Sequence, residues 1–369
     1  MTAPSRGSEP FDPERAGADR RPVVVFDLGG TWWRVGVYTG AAEVRVLRRD
    51  AAISRRTRPG PVPRLQRALV DFVVEHAMSA ARRYEADTVG ISLGAALNGR
   101  TGRVLASAPL WGPRIAPWDL RAELAERAPE LRWFVLNDVS ALAYAILLRE
   151  FPTARVRRAA ALTVSTGIAC RTIDLRDGHI PLDPEHGLQG EIGHLPAHCE
   201  LDGRTIHAEC DCGARDHVAS FASGPGIESL LRTLPETRGL RTRAAALDTD
   251  PRELFRTAVR RGSTSAQTLL DAITRPLAHV LLAQATLDPE VGTTFVSGGV
   301  AEAFGEQYRA SLLRNLRALG LYGISTVDDT YFDRRLAIVA GDGLDALRGV
   351  GFHVRGVAAA GRRAGAAPR

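Results

Sequence analysis

Residues 23–31 read Val-Val-Val-Phe-Asp-Leu-Gly-Gly-Thr, and this stretch decides the fold. The run Val23–Asp27 is typical of a buried β-strand, and the glycine pair at 29 and 30 predicts a turn. A second apolar run, Arg34–Tyr38, follows at once. Strand, glycine turn and strand predict a β-hairpin, whereas a dinucleotide-binding fold places a helix after its glycine turn.

The same pattern recurs about 135 residues further along the chain. Ala160–Val164 predicts a strand, Ser165-Thr166-Gly167 a turn, and Ile168–Leu175 another strand. A third glycine turn, Ser297-Gly298-Gly299, follows the apolar run Thr294–Val296. Two similar openings predict an internally duplicated α/β architecture.

Hydrophobic periodicity predicts the other elements. Further strands are expected at Val44–Leu47, Thr88–Leu93, Arg132–Leu136 and Leu336–Ala340. Helices are expected over residues 62–84, 120–127, 140–149, 226–233, 251–260 and 263–287, from about 304, and after Gly341-Asp342-Gly343.

The 369 residues include no lysine, so all 48 residues counted as Lys+Arg are arginine. This excludes a P-loop, a protein-kinase strand lysine and a pyridoxal phosphate aldimine. The formal charge of +6 is spread along the chain and predicts no nucleic-acid partner. No apolar run approaches the ~18 residues of a membrane helix. Because the N-terminal residues are polar and lack a signal-peptide pattern, we expect a cytoplasmic protein with no membrane partner.

Two acidic positions stand at predicted strand ends. Asp27 precedes two glycines and the Thr31 hydroxyl, and the backbone amides of such a turn can bind an anion while the carboxylate holds Mg²⁺ directly or through water. Asn137-Asp138 follows an apolar strand and precedes a helix. A carboxylate there suits a general base acting on a hydroxyl, and Asn and Asp equally suit a helix N-cap.

Together these motifs resemble the ROK family (repressors, open reading frames and sugar kinases) of the actin/hexokinase-like ATPase superfamily. The resemblance runs from about residue 22 to about 352. Its motifs are Asp27–Thr31, Gly90–Gly94 with Asn98–Pro109, Leu136–Asp138, Leu162–Ile168, Ser297–Gly299, Gly341-Asp342, and Gly190-Glu191-Ile192-Gly193-His194 followed by Cys210-Asp211-Cys212-Gly213.

The resemblance implies a two-lobed actin-like ATPase (ribonuclease H-like) α/β fold, with duplicated domains, a cleft between them and a homodimeric assembly. The expected domains are a disordered arm (1–21), a small N-terminal lobe (22–136), a large C-terminal lobe (137–345) with a zinc-binding loop (190–219), and a C-terminal helix (346–369) that returns to the small lobe and frays from about 357.

The resemblance also implies an ATP- and Mg²⁺-dependent kinase. Asp138 would take the proton of a primary hydroxyl, which attacks the γ-phosphate in line. The implied substrate-binding residues are Gly94, Asn137, Asp138, Glu191 and His194. The implied ATP-binding residues are Asp27 (also a magnesium ligand), Gly29, Gly30, Thr31, Ser165, Thr166, Gly167, Gly298 and Gly299.

The family's signature also implies a structural zinc held by a histidine and three cysteines. Here His217 stands at the third cysteine position, and histidine is a good zinc ligand. The expected ligands are His194, Cys210, Cys212 and His217, with Cys199, His198 and His207 as competing candidates.

Two departures from the family pattern bear on the substrate. Leu136 replaces a glutamate of the catalytic segment, and Ala219 replaces a glutamate that bonds a sugar hydroxyl in sugar kinases. Because a site that loses a hydrogen-bonding partner suits a different ligand, the leading interpretation is a C7-cyclitol 7-kinase of antibiotic biosynthesis that acts on a hydroxymethyl group. The alternatives are a glucose 6-kinase and a non-catalytic sugar-binding regulatory protein.

Overall fold

The computed structural model describes residues 20–40, 43–150, 156–339 and 341–366. The predicted arm therefore lies outside the described residues, except for residues 20 and 21. Packing divides the chain into two compact units. The first holds residues up to Arg157, Thr172–Gln189 and the chain from Asp342 onward, and the second holds Arg158–Arg171 and Gly190–Gly341. The lobe boundaries at residues 136 and 345 remain a prediction.

The first unit contains a five-stranded sheet, a small hairpin and five helices among its described residues. Its strands are β1 (Val23–Leu28), β2 (Trp32–Gly40), β3 (Glu43–Ala51), β4 (Thr88–Leu93), β5 (Ala96–Leu97), β6 (Val104–Ala106) and β7 (Arg132–Asn137). Its helices are α1 (Val62–Tyr84), α2 (Ala108–Trp111), α3 (Leu120–Arg127), α4 (Asp138–Glu150) and α13 (Asp345–Ala366).

The strand order of the large sheet is β3-β2-β1-β4-β7. The hairpin of β1 and β2 is antiparallel, and β4 pairs in parallel with both β1 and β7. All six residues of β1 and of β4 are buried, since helices cover the sheet. Helix α13 packs closely on β4, where a Cβ on Gly90 would lie 3.0 Å from side-chain carbons of Val350 and Val354.

The second unit is built on a four-stranded sheet in the order β13-β12-β8-β9, where β12 pairs in parallel with β8 and β13. Its strands are β8 (Arg158–Val164), β9 (Ile168–Asp174, which enters the first unit after Arg171), β10 (Cys199–Leu201), β11 (Arg204–Ile206), β12 (Val291–Ser297) and β13 (Leu336–Ile338). Its helices are α5 (Val218–Ala222), α6 (Gly224–Thr233), α7 (Arg238–Ala246), α8 (Pro251–Arg260), α9 (Thr264–Leu287), α10 (Gly299–Phe304), α11 (Glu306–Leu319) and α12 (Ile324–Val327).

The start of one predicted helix differs clearly from the structure. A helix starts at Gly299, directly after β12, although the sequence predicts one only from about residue 304. Gly305, with a φ of 57°, separates this helix from the next, so the periodicity of the longer α11 dominates the sequence signal. The predicted C-terminal helix is present as α13, Asp345–Ala366, and fraying from about residue 357 remains a prediction. Among the described residues, no helix has both the length and the apolarity needed to cross a bilayer.

Candidate functional site

Three parallel strands of the first unit end side by side. Leu28 of β1 pairs with Leu93 of β4, and Leu93 pairs with Asn137 of β7. The glycine turn, Gly94 and the helix start at Asp138 therefore leave the sheet at one edge, where α/β proteins bind ligands. A Cβ on Gly94 would lie 3.5 Å from Oδ2 of Asp138 and 3.6 Å from Cα of the glycine at position 29. The structure thus brings together the predicted phosphate turn and the predicted general base.

Asp27 lies at this edge, nearly buried, opposite Arg34 of β2 and Ser92 of β4. Nη1 of Arg34 donates to Oδ2 of Asp27 at 2.6 Å. Burial raises the pKa of Asp27, and Arg34 and Ser92 act in the opposite direction. Because a cation already occupies Oδ2, the carboxylate fits a magnesium ion held through water better than one bound directly to both oxygens.

The second glycine of the first glycine turn, Gly30, is required for a steric reason. Gly29 donates its amide to the carbonyl of Trp32 at 3.3 Å, which closes the turn. A Cβ on Gly30 would lie 2.8 Å from Cβ of Pro109 in α2, closer than carbon atoms pack. Thr31, which follows, is exposed. The turn therefore needs glycine for its own packing, as well as for any anion it binds.

Asn137 and Asp138 both serve the N-terminus of α4. Oδ1 of Asn137 accepts from the amides of Val139 (2.9 Å) and Ser140 (3.3 Å), and its Nδ2 donates to the Ala95 carbonyl at 2.9 Å. The N-cap role considered from the sequence is thus present in Asn137, while its predicted substrate contact remains a prediction. Asp138 begins the helix, where the helix dipole favours a carboxylate.

The two glycine turns of the second unit also lie together. Thr163 of β8 pairs with Ser297 of β12, so both strands end at the same level. Gly298 needs glycine, because its φ is 98° and a Cβ would lie 2.7 Å from the Val164 carbonyl oxygen. By contrast, no atom of the described residues comes within 4 Å of a Cβ built on Gly167 or Gly299. The space beside these two glycines is open, although the amides of Ser165 and Gly298 already donate within the turns, to the Gly167 carbonyl and to Oε1 of Glu302.

The Gly-Glu-Ile-Gly-His segment is pressed against β9 by its glycines. A Cβ on Gly190 would lie 1.8 Å from the Cys170 carbonyl oxygen, and a Cβ on Gly193 would lie 2.4 Å from that of Ile168. These contacts fix the backbone that carries Glu191 and His194. Only glycine allows so close an approach, which explains the motif in physical terms.

Arg171 of β9 was not among the predicted site residues. It is 1% exposed, and its Nη2 donates to Oε1 of Glu191 at 2.9 Å. The sequence signal is an arginine directly after the apolar run Ile168–Cys170, since a buried cation requires a partner.

Four side chains of the second unit form a metal-like cluster. One ligand atom from each of His194, Cys210, Cys212 and His217 lies within 4.8 Å of all the others. Sγ of Cys210 is 3.8 Å from Nδ1 of His194, and Sγ of Cys212 is 3.4 Å from Nδ1 of His217. Ligand atoms around tetrahedral zinc lie roughly 3.3–3.8 Å apart, so the donor set and its spacing fit zinc.

Burial acts on the cluster's titratable groups. It lowers the pKa of His194, which favours the neutral imidazole that binds metals. It raises the pKa of the Cys210 thiol. The Cys210 thiolate is therefore favourable only with a cation beside it, and a bound zinc ion would supply that cation.

The competing ligand candidates have other partners. Cys199 is buried, and its Sγ lies 3.5 Å from the Ala272 carbonyl. Nε2 of His198 lies 3.8 Å from Oε2 of Glu200 on the surface. Nδ1 of His207 lies 2.8 Å from Oδ2 of Asp216. The structure brings none of the three into the cluster with His217.

The two departures from the family pattern lie at defined places. Leu136 is a buried residue of β7, opposite Ser92. Ala219 is the second residue of α5, whose N-cap is His217, and it is partly exposed. It therefore lies two residues from a member of the metal-like cluster.

The sequence model of the protein family described as "ROK family" matches residues 23–316 of this chain. A 2-epi-5-epi-valiolone 7-kinase from Actinoplanes sp. strain SE50/110 is 39% identical over 90% of this chain and 92% of its own. A C(7)-cyclitol 7-kinase from Streptomyces hygroscopicus subsp. jinggangensis is 31% identical over 89% and 92%.

The solved structures include a ROK family glucokinase from Streptomyces griseus in complex with glucose and AMPPNP. It aligns with a TM-score of 0.67 at 18% identity, over 90% of this chain and 99% of that one. The predicted α/β fold of the actin-like ATPases is thereby confirmed.

Proposed function

Because the chain belongs to the ROK family, we propose that it is an ATP-dependent kinase that phosphorylates the hydroxymethyl group of a C7-cyclitol. The observation that carries this proposal is the 39% identity, over nine-tenths of both chains, to a protein named 2-epi-5-epi-valiolone 7-kinase. The alanine at position 219 agrees with it, since a cyclitol kinase need not hold the hydroxyl that glucokinases bond there.

Asp138 is the proposed general base. Its Oδ2 lies beside Gly94, at the strand edge where the Asp27 turn also ends. A carboxylate there accepts the proton of the attacking hydroxyl as the oxygen begins to bond to phosphorus. Glu191 and His194 of the second unit are the proposed contacts to the other hydroxyls of the cyclitol.

The glycine turns are the proposed ATP contacts. The open space beside Gly167 and Gly299 leaves room for phosphate oxygens. Mg²⁺, held through Asp27, would neutralise charge on the transferring phosphoryl group. With no lysine in the chain, amides, hydroxyls and this metal take the part that lysine plays in P-loop enzymes.

We also propose a structural zinc at His194, Cys210, Cys212 and His217. The support is the distances within the cluster and its N₂S₂ donor set. Such an ion would hold the loop that carries His194. Homodimeric assembly, a cytoplasmic location and a role in antibiotic biosynthesis remain predictions.

The test is a coupled assay of ADP release with C7-cyclitols and hexoses as acceptors. We expect turnover with a cyclitol, and a kcat lower by about 10²–10⁴-fold in Asp138→Asn, the range that a general base contributes. Asp177→Asn, an exposed acid in the same unit, is the control and should keep full activity. No turnover by wild type on any acceptor, or equal turnover by Asp138→Asn, would contradict the proposal.

A further inference from the structure

Arg171 is a buried cation with one carboxylate partner. Its side chain is 1% exposed, whereas that of Glu191 is 29% exposed. Nη1 donates to the Cys170 carbonyl at 3.1 Å and Nη2 donates to Oε1 of Glu191 at 2.9 Å. Its Nε is buried and has no hydrogen-bond partner among the described residues. The guanidinium thus forms a fixed anchor inside the unit and reaches an acid at the surface.

This arrangement is a poor one for stability alone. A buried ion pair loses the hydration of its charges, and replacing it with apolar residues of similar volume is often neutral or stabilising. Here one donor of the guanidinium is also unsatisfied, which adds to the cost. A role for Arg171 beyond packing β9 accounts for an arginine at this position.

We propose that Arg171 is a positioning residue for the acceptor substrate, acting through Glu191; this inference rests on the kinase function proposed above. By holding Oε1, the guanidinium fixes the carboxylate and leaves Oε2 as the oxygen that accepts from a substrate hydroxyl. A free glutamate would lose its side-chain freedom on binding each substrate, and that loss weakens binding. Arg171 removes this freedom before the substrate arrives.

The backbone supports the same geometry. Gly190 adopts a φ of 63° directly against the Cys170 carbonyl, the same group that accepts from Nη1 of Arg171. The segment that carries Glu191 is therefore fixed to β9 through both its backbone and its side chain. One strand therefore fixes the position of the carboxylate.

The experiment measures KM for the cyclitol, KM for ATP, kcat and thermal unfolding for wild type, Arg171→Met, Arg171→Lys, Glu191→Gln and the Arg171→Met/Glu191→Gln double variant. Because Met is apolar and matches the aliphatic stem of arginine, Arg171→Met removes the charged contact and keeps the packing of the stem. We expect it to raise the cyclitol KM up to about tenfold, the cost of ordering one long side chain on binding, with ATP KM within about twofold of wild type. On the Glu191→Gln background the same change should add no more than about twofold, because the two residues act as one unit.

The inference is overturned if folded Arg171→Met keeps the wild-type cyclitol KM, or if the two single effects multiply in the double variant. Arg171→Lys keeps a cation beside Oε1 and should recover much of the wild-type cyclitol KM. If Arg171→Met does not fold, the neutral Arg171→Gln is measured in its place: an unchanged cyclitol KM overturns the inference, and a selective rise supports it. If Glu191→Gln keeps the wild-type cyclitol KM while wild type is active, the positioning role fails and the kinase function stands. If wild type phosphorylates no acceptor, the proposed function itself fails.

Discussion

The guanidinium of Arg34 holds the carboxylate of Asp27 at 2.6 Å across the β1–β2 hairpin. The two residues are direct cross-strand partners, and both are largely buried. Burial raises the pKa of Asp27, while Arg34 lowers it. Arg34 thus opposes the protonation of Asp27 that burial favours.

Replacing Arg34 with Met should shift the pH dependence of the proposed kinase. Without the cation, burial raises the pKa of Asp27 further, so the carboxylate protonates at a higher pH. If activity requires ionised Asp27, the acid limb of kcat/KM moves to higher pH in Arg34→Met. Rates measured across pH 5–8, roughly the range in which a raised carboxyl pKa becomes visible, test this.

Arg48→Met is the matched control, because Arg48 pairs with Asp50 on the exposed strand β3 of the same sheet. It should leave the pH profile unchanged, since exposed ion pairs have little effect. An Arg34→Met profile that superimposes on wild type would show that this ion pair does not govern activity.

Zinc content distinguishes the proposed ligands from their competitors. We expect about one zinc per chain in wild type by elemental analysis, and loss of it in Cys212→Ser and in His217→Ala. Cys199→Ser is the control, because Cys199 lies outside the cluster and its Sγ faces the Ala272 carbonyl. If both cluster variants keep zinc and Cys199→Ser loses it, the proposed ligand set is wrong and Cys199 belongs to the zinc site.

The ends of the buried strands could be predicted from the sequence, for a physical reason. Buried strands need continuous apolar runs, and a run that ends in glycine marks both the strand end and the turn. The strand predicted at Val23–Asp27 is found at Val23–Leu28, the strand predicted at Thr88–Leu93 is found there, and α1 is found over the predicted residues 62–84. Each of these signals is local, so no tertiary information was needed.

The loop from 190 to 217 could not be placed in the same way. Its ligands are brought together by isolated bridges, Pro196 with His217 and Glu209 with Arg215, and by a left-handed residue at Asp216. None of these produces a periodic pattern in sequence. The role of Arg171 was missed for a related reason, since its partner Glu191 lies in another segment of the chain.

Gly190→Ala tests the packing of the substrate segment. An alanine there must adopt positive φ and also meet the Cys170 carbonyl oxygen at 1.8 Å, so the segment must move. We expect a loss of about 3 kcal/mol or more in the free energy of unfolding, the size of a severe local conflict, together with a raised cyclitol KM.

Gly203→Ala is the control that separates the steric clash at Gly190 from the strain of a positive φ. Gly203 also has a positive φ, 76°, but none of the described residues lies within 4 Å of its Cβ position. This variant should lose only about 1 kcal/mol, from backbone strain, and keep its cyclitol KM. Equal losses in denaturant unfolding of the two variants would show that contact with β9 is not what requires glycine at Gly190.

Ala219→Glu tests why the acceptor would differ from glucose. The position is partly exposed in the first turn of α5, next but one to His217, where a carboxylate is tolerated. A glutamate there restores the acid that bonds a sugar hydroxyl in related sugar kinases. We therefore expect the ratio of kcat/KM for glucose to that for the cyclitol to rise about tenfold or more, since a hydroxyl-binding group discriminates strongly.

Ala214→Glu adds the same charge at an exposed position of the same loop and should leave the ratio unchanged. If both variants change the ratio equally, charge in the loop is responsible, and Ala219 does not determine the acceptor.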